Sequence, residues 1–600
     1  MRRVSLRASR ARRALDSRLS TNSLVETTNF VDGCYGNPKK GIGVARAAMS
    51  IQDTAGQDCF RVHSKDLLGR VGSLRTKSGT FTTPHLFPVV DPNRRKFDQD
   101  FFNRLDIHAI MTNSYLHRKW RQGLPHAENI HETLKFNETV ATDSGAYQIL
   151  EYGAVTVSPE QIVKYQEEID TDIGVILDVP TGFRSDLERS SWTVTETIRR
   201  ADEALRVRTR DDILWVGPIQ GGIHLDEVAR SAREMARRDF AIYALGSPTE
   251  LMESQRFEIL VDMILTAKKN IPASKPLHLF GAGHPALFPF FVALGCDLFD
   301  SAAYALYART GRYFTSEGTV ELENMEEFPC LCPACEGMTP RQVSRSNPRD
   351  REAILSQHNL QACFSELRRV REALRSGRLW DLLEHRAHTH PALKRCLDRI
   401  ATHCDDIEPF TPLVKSRGIF YFGAQSDKRP EIRRYSLRLD RLKPERGKAL
   451  LLLPGRWRRP YREDPRYRST VSRFQDDKRF RILFYSIPFG PVPLELDETF
   501  PVAQTESMDP RDPLLYEAKA EKVARLVRRL SPRLVFLSKE GDYGELLEKE
   551  VRRFLPKSRV FSARGERFRP STFAKFVERG LTSFKARSSV HPLKRPSGHS

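Results

Sequence analysis

Three aspartates close apolar runs in this chain: Asp143 in Ala141-Thr142-Asp143-Ser144-Gly145, Asp178 ahead of Val179-Pro180-Thr181, and Asp300 in Phe299-Asp300-Ser301. A carboxylate can attack an electrophilic carbon or carry a proton. Two of them flanking a sugar's anomeric carbon can do both in turn, through a covalent glycosyl-enzyme. A single strand-end Asp more often caps the next helix. Three together shift the balance if one fold gathers them, and the residues alone leave open which of Asp143 and Asp300 is the nucleophile. Gln220, within Gly217-Pro218-Ile219-Gln220-Gly221-Gly222, and Gly246 offer an amide and an unobstructed backbone suited to the edge of a purine, and Tyr147 offers a face for stacking. Gly281-Ala282-Gly283 lacks the third glycine of a dinucleotide fingerprint.

A second constellation follows Asp300. Cys330, Cys332 and Cys335 are three of only nine cysteines in the chain, and His358 lies downstream. That spacing predicts a Cys₃His zinc site. Four protein ligands leave zinc no open position for an activated water, so the ion is expected to hold structure while carboxylates do the chemistry. His385, His388 and His390 have no neighbouring thiol and read as a solvated helix end or loop.

The elements that must position these groups are read from periodicity. Val175-Ile176-Leu177-Asp178, Ile213 to Gln220, Ala241 to Gly246, Leu277 to Gly281 and Asp297 to Asp300 are short apolar runs typical of buried parallel strands. Helices lie between them, one opening at Ser158-Pro159-Glu160-Gln161 with the signature of a capping box. Repeated strand and helix units predict an α/β fold: a (β/α)₈ TIM barrel with a zinc-binding subdomain over residues 59–404, whose strand ends meet at one mouth. A doubly wound open sheet is the alternative. A smaller α/β domain is expected over 405–565, with strands near Ala449-Leu453, Ile482-Ile487 and Leu534-Leu537 and a helix near Ala518-Leu530. Residues 566–600 read as a basic tail without periodicity. Residues 1–58, rich in Arg and Ser, read as a basic extension that fits a transit peptide, an RNA-contacting arm or an early start codon equally well.

Composition narrows the function classes. The chain has 600 residues, 40% hydrophobic and 29% charged, with a formal charge of +20. These are globular values for more than one domain, with a balance that favours a polyanionic partner such as nucleic acid. No apolar run reaches the roughly 18 residues a bilayer span needs. Irregular cysteine spacing and thiolate ligands suit a reducing, cytoplasmic setting.

Residues 59 to about 360 resemble the archaeal tRNA-guanine transglycosylases. The resemblance is carried by Lys65-Asp66-Leu67-Leu68-Gly69-Arg70, Thr83-Pro84, Thr142-Asp143-Ser144-Gly145, Gln220-Gly221-Gly222, His278-Leu279-Phe280-Gly281-Ala282-Gly283-His284-Pro285, Leu294 to Tyr304, the cysteine cluster and His358-Asn359-Leu360. It implies a TIM barrel that exchanges guanine at position 15 of the tRNA D-arm for 7-cyano-7-deazaguanine, in archaeosine biosynthesis. By the same resemblance Asp300 is the nucleophile and Asp143 the general acid/base. Asp178 and Gln220 bind the purine, as do the Gly246 and Ser247 backbone, and Tyr147 stacks on it. Zinc, tRNA and a tendency to homodimers are further implications.

The sequence departs from the family's pattern in three places. Tyr147 stands where Phe is commoner, Gly246-Ser247-Pro248-Thr249 replaces a valine-rich run, and the tail carries no recognisable PUA pattern, so a separate PUA-domain protein or the tail itself would anchor tRNA. Competing readings are a queuosine-type enzyme acting at position 34, a non-catalytic tRNA-binding subunit, and an archaeosine synthase. Retention of all three aspartates argues against the second, and no Lys motif after a Pro-Cys pair supports the third.

Overall fold

A computed structural model describes residues 59–94, 99–121, 128–146, 157–444, 447–455, 459–508, 511–565 and 572–589. The expectations for residues 1–58 and for Tyr147 lie outside these described residues.

Eight short strands, all parallel, form the larger sheet: β4 (His85–Pro88), β5 (Ala109–Asn113), β6 (Thr139–Asp143), β7 (Ile173–Val175), β8 (Leu214–Ile219), β9 (Ile242–Leu245), β10 (Leu277–Leu279) and β11 (Leu298–Ser301), in the order β4-β11-β10-β9-β8-β7-β6-β5. Val89, just past β4, bridges Met111 of β5 in parallel, and the Val90 N–H donates to the Met111 carbonyl at 2.8 Å. That contact closes the sheet into a barrel and rules out the open, doubly wound alternative. Helices such as Leu187–Val207, Leu225–Ala236 and Phe257–Asn270 cover the outside with buried Val, Leu, Ile and Met.

Side chains alternate across a strand. Val140, Trp215, Tyr243, Leu277, Leu279 and Phe299 join the outer core beneath the helices, while Met111, Ala141, Val216, Ala244 and Leu298 pack together inside the barrel. Two residues further along the inward face come Asn113, Asp143, Gly246 and Asp300, four further comes Gln220, and His278 sits between its two outward leucines. The polar site is therefore the last inward layer of the barrel, set by phase alone.

The other end is plugged. An antiparallel sheet of β1 (Phe60–Asp66), β2 (Gly69–Thr76) and β3 (Gly79–Thr83) runs directly into β4, and its Phe60, Leu74 and Phe81 extend the interior layer. Thr76 Oγ1 meets Thr139 Oγ1 at 2.9 Å at the start of β6, and the Ser78 N–H donates to Asp172 Oδ1 at 3.2 Å before β7.

A second sheet follows in the order β17-β16-β15-β19-β20: β15 (Ala449–Pro454), β16 (Phe480–Ser486), β19 (Leu534–Lys539) and β20 (Val560–Arg564) are parallel, and β17 (Gly490–Pro493) is an antiparallel edge. Helix Pro513–Leu530 buries one face of this sheet with Val523, Ala524 and Val527. The reading of an unpatterned tail after about residue 565 is corrected here: Thr572–Ser589 is a helix whose Phe573, Ala574 and Val577 are buried against Phe536 and Tyr467 in the other face. Its basic composition hid an apolar stripe.

Barrel and second sheet are joined by buried charges. Lys415 Nζ lies 2.8 Å from Asp66 Oδ1 and also pairs with Glu431, all three almost fully buried. Arg429, also buried, pairs with Asp381 and Glu431 and donates to the Phe420 carbonyl at 2.9 Å. The Lys415 and Arg429 charges hold the Glu431 carboxyl well below its usual range against the cost of burial. Replacing Lys415 by Met leaves buried Asp66 without its cation and Glu431 with Arg429 alone, and we expect a loss of about 3–5 kcal/mol in urea unfolding. An unchanged midpoint would show the network to be solvated.

Candidate active site

At the C-terminal mouth of the barrel lies a cavity of about 960 Å³ lined by Asn113, Asp143, Asp178, Gln220, Gly246, Ser247, Phe280, Asp300 and residues of the flanking loops. Every sequence-predicted site residue among the described ones therefore reaches one space, apart from the metal cluster, which lies outside it.

Asp300 on β11 accepts at Oδ1 from the Gly281 N–H at 3.0 Å, and the same oxygen lies 2.9 Å from His278 Nε2. With Oδ1 engaged twice, Oδ2 is the oxygen left for chemistry. Asp143 ends β6 and accepts at Oδ2 from Asn113 Nδ2 at 2.8 Å and from the Gly145 N–H at 3.1 Å. Burial, with the Asp178 and Asp300 charges nearby, raises the Asp143 carboxyl to about 7, so at neutral pH it exists in both protonation states. A group so poised can give and take back a proton.

The third acid sits differently. Asp178 follows the end of β7 by three residues, in irregular backbone rather than in the strand predicted from sequence. Burial raises its carboxyl to about 6, opposed by the Gln220 amide, whose Nε2 donates to Asp178 Oδ2 at 2.6 Å. The orientation of Gln220 is fixed because Oε1 accepts from the Thr181 N–H at 3.0 Å and from Ser247 Oγ at 3.0 Å. Among the described residues this leaves one Nε2 hydrogen beside the Asp178 carboxylate, a donor beside an acceptor. Gly246 is required by proximity: a Cβ there would stand 2.2 Å from Gln220 Nε2.

Sequence reasoning gave no role to His278, Asn113 or Phe280. His278 is buried between Phe87 and Phe280, with ring centroids 5.6 and 4.8 Å away, and is aimed at the Asp300 carboxylate. Its position between Leu277 and Leu279 was the available signal, since the phase that turns both leucines outward turns the histidine in. Phe280 is partly buried and lines the cavity with an aromatic face.

Beyond β11 the chain builds a separate lobe. Cys330, Cys332, Cys335 and His358 place their ligand atoms within 4.8 Å of one another, with Sγ to His358 Nδ1 separations of 3.4, 3.5 and 3.6 Å. His358 is oriented by its other nitrogen, 2.9 Å from the Phe314 carbonyl, and by the Tyr313 ring stacked on it at 3.6 Å. This group can hold a metal ion, and it is the cluster of that kind found among the described residues. His385, His388 and His390 are not part of it. His390 caps helix Pro391–Thr402, accepting from the Ala392 N–H at 3.1 Å.

The family model for queuine tRNA-ribosyltransferase matches residues 65–392, more than half of the chain. The chain belongs to the queuine tRNA-ribosyltransferase family. Relatives include proteins named tRNA-guanine(15) transglycosylase from Methanococcus maripaludis strain C7, 38% identical over 459 residues covering 75% of this chain and 69% of the relative, and from Methanocaldococcus jannaschii, 38% identical over 456 residues covering 74% and 68%. The protein of that name from Saccharolobus solfataricus is 38% identical over 487 residues, 78% of this chain and 94% of the relative. Matches of this length run past the barrel of the tRNA-ribosyltransferase fold into the second sheet. In this family member no described helix is long and apolar enough to cross a membrane.

The Asp143 carboxyl owes part of its height to a like charge. Removing that charge in Asp178→Asn makes ionisation easier, so the Asp143 midpoint should fall below about 7 in a carboxyl ¹³C NMR titration. A midpoint that stays put would mean the two groups do not share one low-dielectric space.

Proposed function

We propose that this protein is a tRNA-guanine(15) transglycosylase: it removes guanine at position 15 of the D-arm and installs 7-cyano-7-deazaguanine. The observation that carries the reading is the pairing, in one buried cavity, of a carboxylate fixed through one oxygen (Asp300) with a carboxyl raised to about 7 (Asp143).

The residues divide the work as follows. The target nucleotide is flipped into the cavity, the amide and amino N–H groups of its guanine held by the Asp178 acceptor and its carbonyl by the Gln220 donor, against the Gly246 and Ser247 backbone and the face of Phe280, with Tyr147 as a second stacking face. Asp300 Oδ2 attacks the ribose anomeric carbon. The bond from that carbon to the purine nitrogen breaks, the electron pair stays on the base, and protonated Asp143 supplies the proton. Guanine leaves and the deazapurine enters. Its ring nitrogen gives a proton to the Asp143 carboxylate and attacks the same carbon, and Asp300 departs as a carboxylate. The ribosyl-aspartate ester conserves the glycosidic bond's energy, so no nucleotide triphosphate is needed. His278 is a positioning residue here, fixing which Asp300 oxygen faces the sugar.

The Cys₃His cluster fits zinc. Zn–S bonds of about 2.3 Å and Zn–N bonds of about 2.0–2.1 Å at a tetrahedral angle put S and N about 3.6 Å apart, close to the separations found. Bound there, zinc supplies a fully coordinated clamp between the Cys330–Cys335 loop and helix Pro348–Arg375, with no vacant position for chemistry.

Two measurements test this. Purified protein incubated with unmodified tRNA and labelled guanine or 7-cyano-7-deazaguanine should incorporate label at position 15, and Asp300→Ala should abolish incorporation. Wild type that labels position 34, or an active Asp300→Ala, refutes the assignment. Metal analysis should find about one zinc per chain, lost in Cys332→Ser together with several degrees of melting temperature. Full occupancy and an unchanged melt would contradict the clamp.

A further inference from the structure

The cavity has a charge problem that the proposed reaction does not solve. Besides Asp143, Asp178 and Asp300 it is lined by Glu250, Glu253 and Glu317, all acids, whereas the substrate strand must bring phosphates to its rim. Among the described lining residues a single Lys or Arg is present: Arg312. His284 does not help, because burial lowers its pKa to about 4 and leaves the imidazole neutral. Apart from Arg312, the Lys, Arg, Asp and Glu side chains described at this mouth are all acids, so a phosphate drawn there meets like charge from six groups.

Arg312 is placed with more care than an ordinary surface arginine. It begins strand β12 (Arg312–Phe314), which pairs with β13 (Thr319–Glu321) in a hairpin at the cavity's edge. Asn359, fully buried in helix Pro348–Arg375, donates through Nδ2 to the Arg312 carbonyl at 3.0 Å and to the Tyr304 carbonyl at 3.1 Å, and accepts from the Phe314 N–H at 2.8 Å. The strand's backbone is thus locked to the helix that follows β11. The far strand is tied to the mouth through Thr319 Oγ1, 3.0 Å from His284 Nε2. The side chain itself is exposed, with its guanidinium lying over the Tyr307 ring, 5.3 Å from the centroid. Stacking pre-orients the planar fork and leaves its edge N–H groups for an incoming acceptor.

Resting on the proposed function, we infer that Arg312 is the phosphate-binding residue at the cavity rim: its guanidinium takes a phosphate of the RNA strand next to the flipped nucleotide. Its role is to hold the strand against six surrounding acids while the base enters. It touches neither the purine nor the anomeric carbon. The contact is to the backbone, so it is indifferent to base identity.

Binding of unmodified tRNA by the zinc-loaded protein, measured across a salt series, tests this. Arg312→Ala should weaken tRNA binding about tenfold at physiological salt and reduce the slope of log K against log salt by about 1, while affinity for free guanine and the melting temperature stay at wild-type values. Arg312→Lys keeps the charge and should keep the slope. An Arg312→Ala protein with wild-type slope and affinity overturns the inference, as does a Lys variant that loses the slope to the same extent. The two readings fail separately. Wild type that binds tRNA but exchanges no base sinks the transglycosylase assignment alone. Exchange by wild type together with an unaltered slope in Arg312→Ala sinks the phosphate contact alone.

Discussion

One backbone contact decides what the eight strands can do. The bridge from Val89 to Met111 joins the first strand to the second and turns a curved sheet into a closed ring. In a closed ring of parallel strands, each strand's inward face ends at the same mouth, so residues as far apart in sequence as Asp143 and Asp300 become neighbours without any specific pairing between them. Asp143, Gln220 and Asp300 owe their meeting to phase and closure. The antiparallel sheet at the opposite end, with Phe60, Leu74 and Phe81 filling the interior, leaves the C-terminal mouth as the place where polar groups can accumulate.

Accumulation has a cost that the structure distributes. The Asp178 and Asp300 charges add to burial in raising the proton affinity of Asp143, and the cavity surrounds each acid differently. Asp300 is fixed by a backbone N–H and His278, and Asp178 is offset by the Gln220 amide. Asp143 takes the largest upward shift, to about 7. Environment therefore separates acids that sequence alone could not tell apart. In the proposed reaction one group attacks the sugar carbon and another protonates the base, and this separation supports that division.

Much of this was legible in the chain, for reasons that can be named. Runs such as Ile213–Gln220 and Asp297–Asp300 announced strands because both faces of a barrel strand are buried, and the Cys₃His spacing stood out against six scattered cysteines. Strands β4 and β5 carry little signal: His85-Leu86-Phe87-Pro88 is short and ends in proline, and Ala109–Asn113 mixes in Thr and Asn. His278 lies inside a legible strand, but its aim at Asp300 follows only from the alternation that turns Leu277 and Leu279 outward. The Lys415, Asp66 and Glu431 contact could not be read at all, since nothing local marks three charges that meet only after both domains have folded. In the helix Thr572–Ser589, the arginines and lysines drew attention away from Phe573 and Val577.

The buried charges between barrel and second sheet carry one more meaning. Swinging the second domain would pull Lys415 from Asp66 or Arg429 from Asp381, stranding ions in a medium that solvates them poorly. The two bodies are therefore welded at a fixed separation. For the proposed substrate, a tRNA resting on one part and inserting a nucleotide into the other, that fixed spacing would act as a gauge of the distance along the RNA backbone.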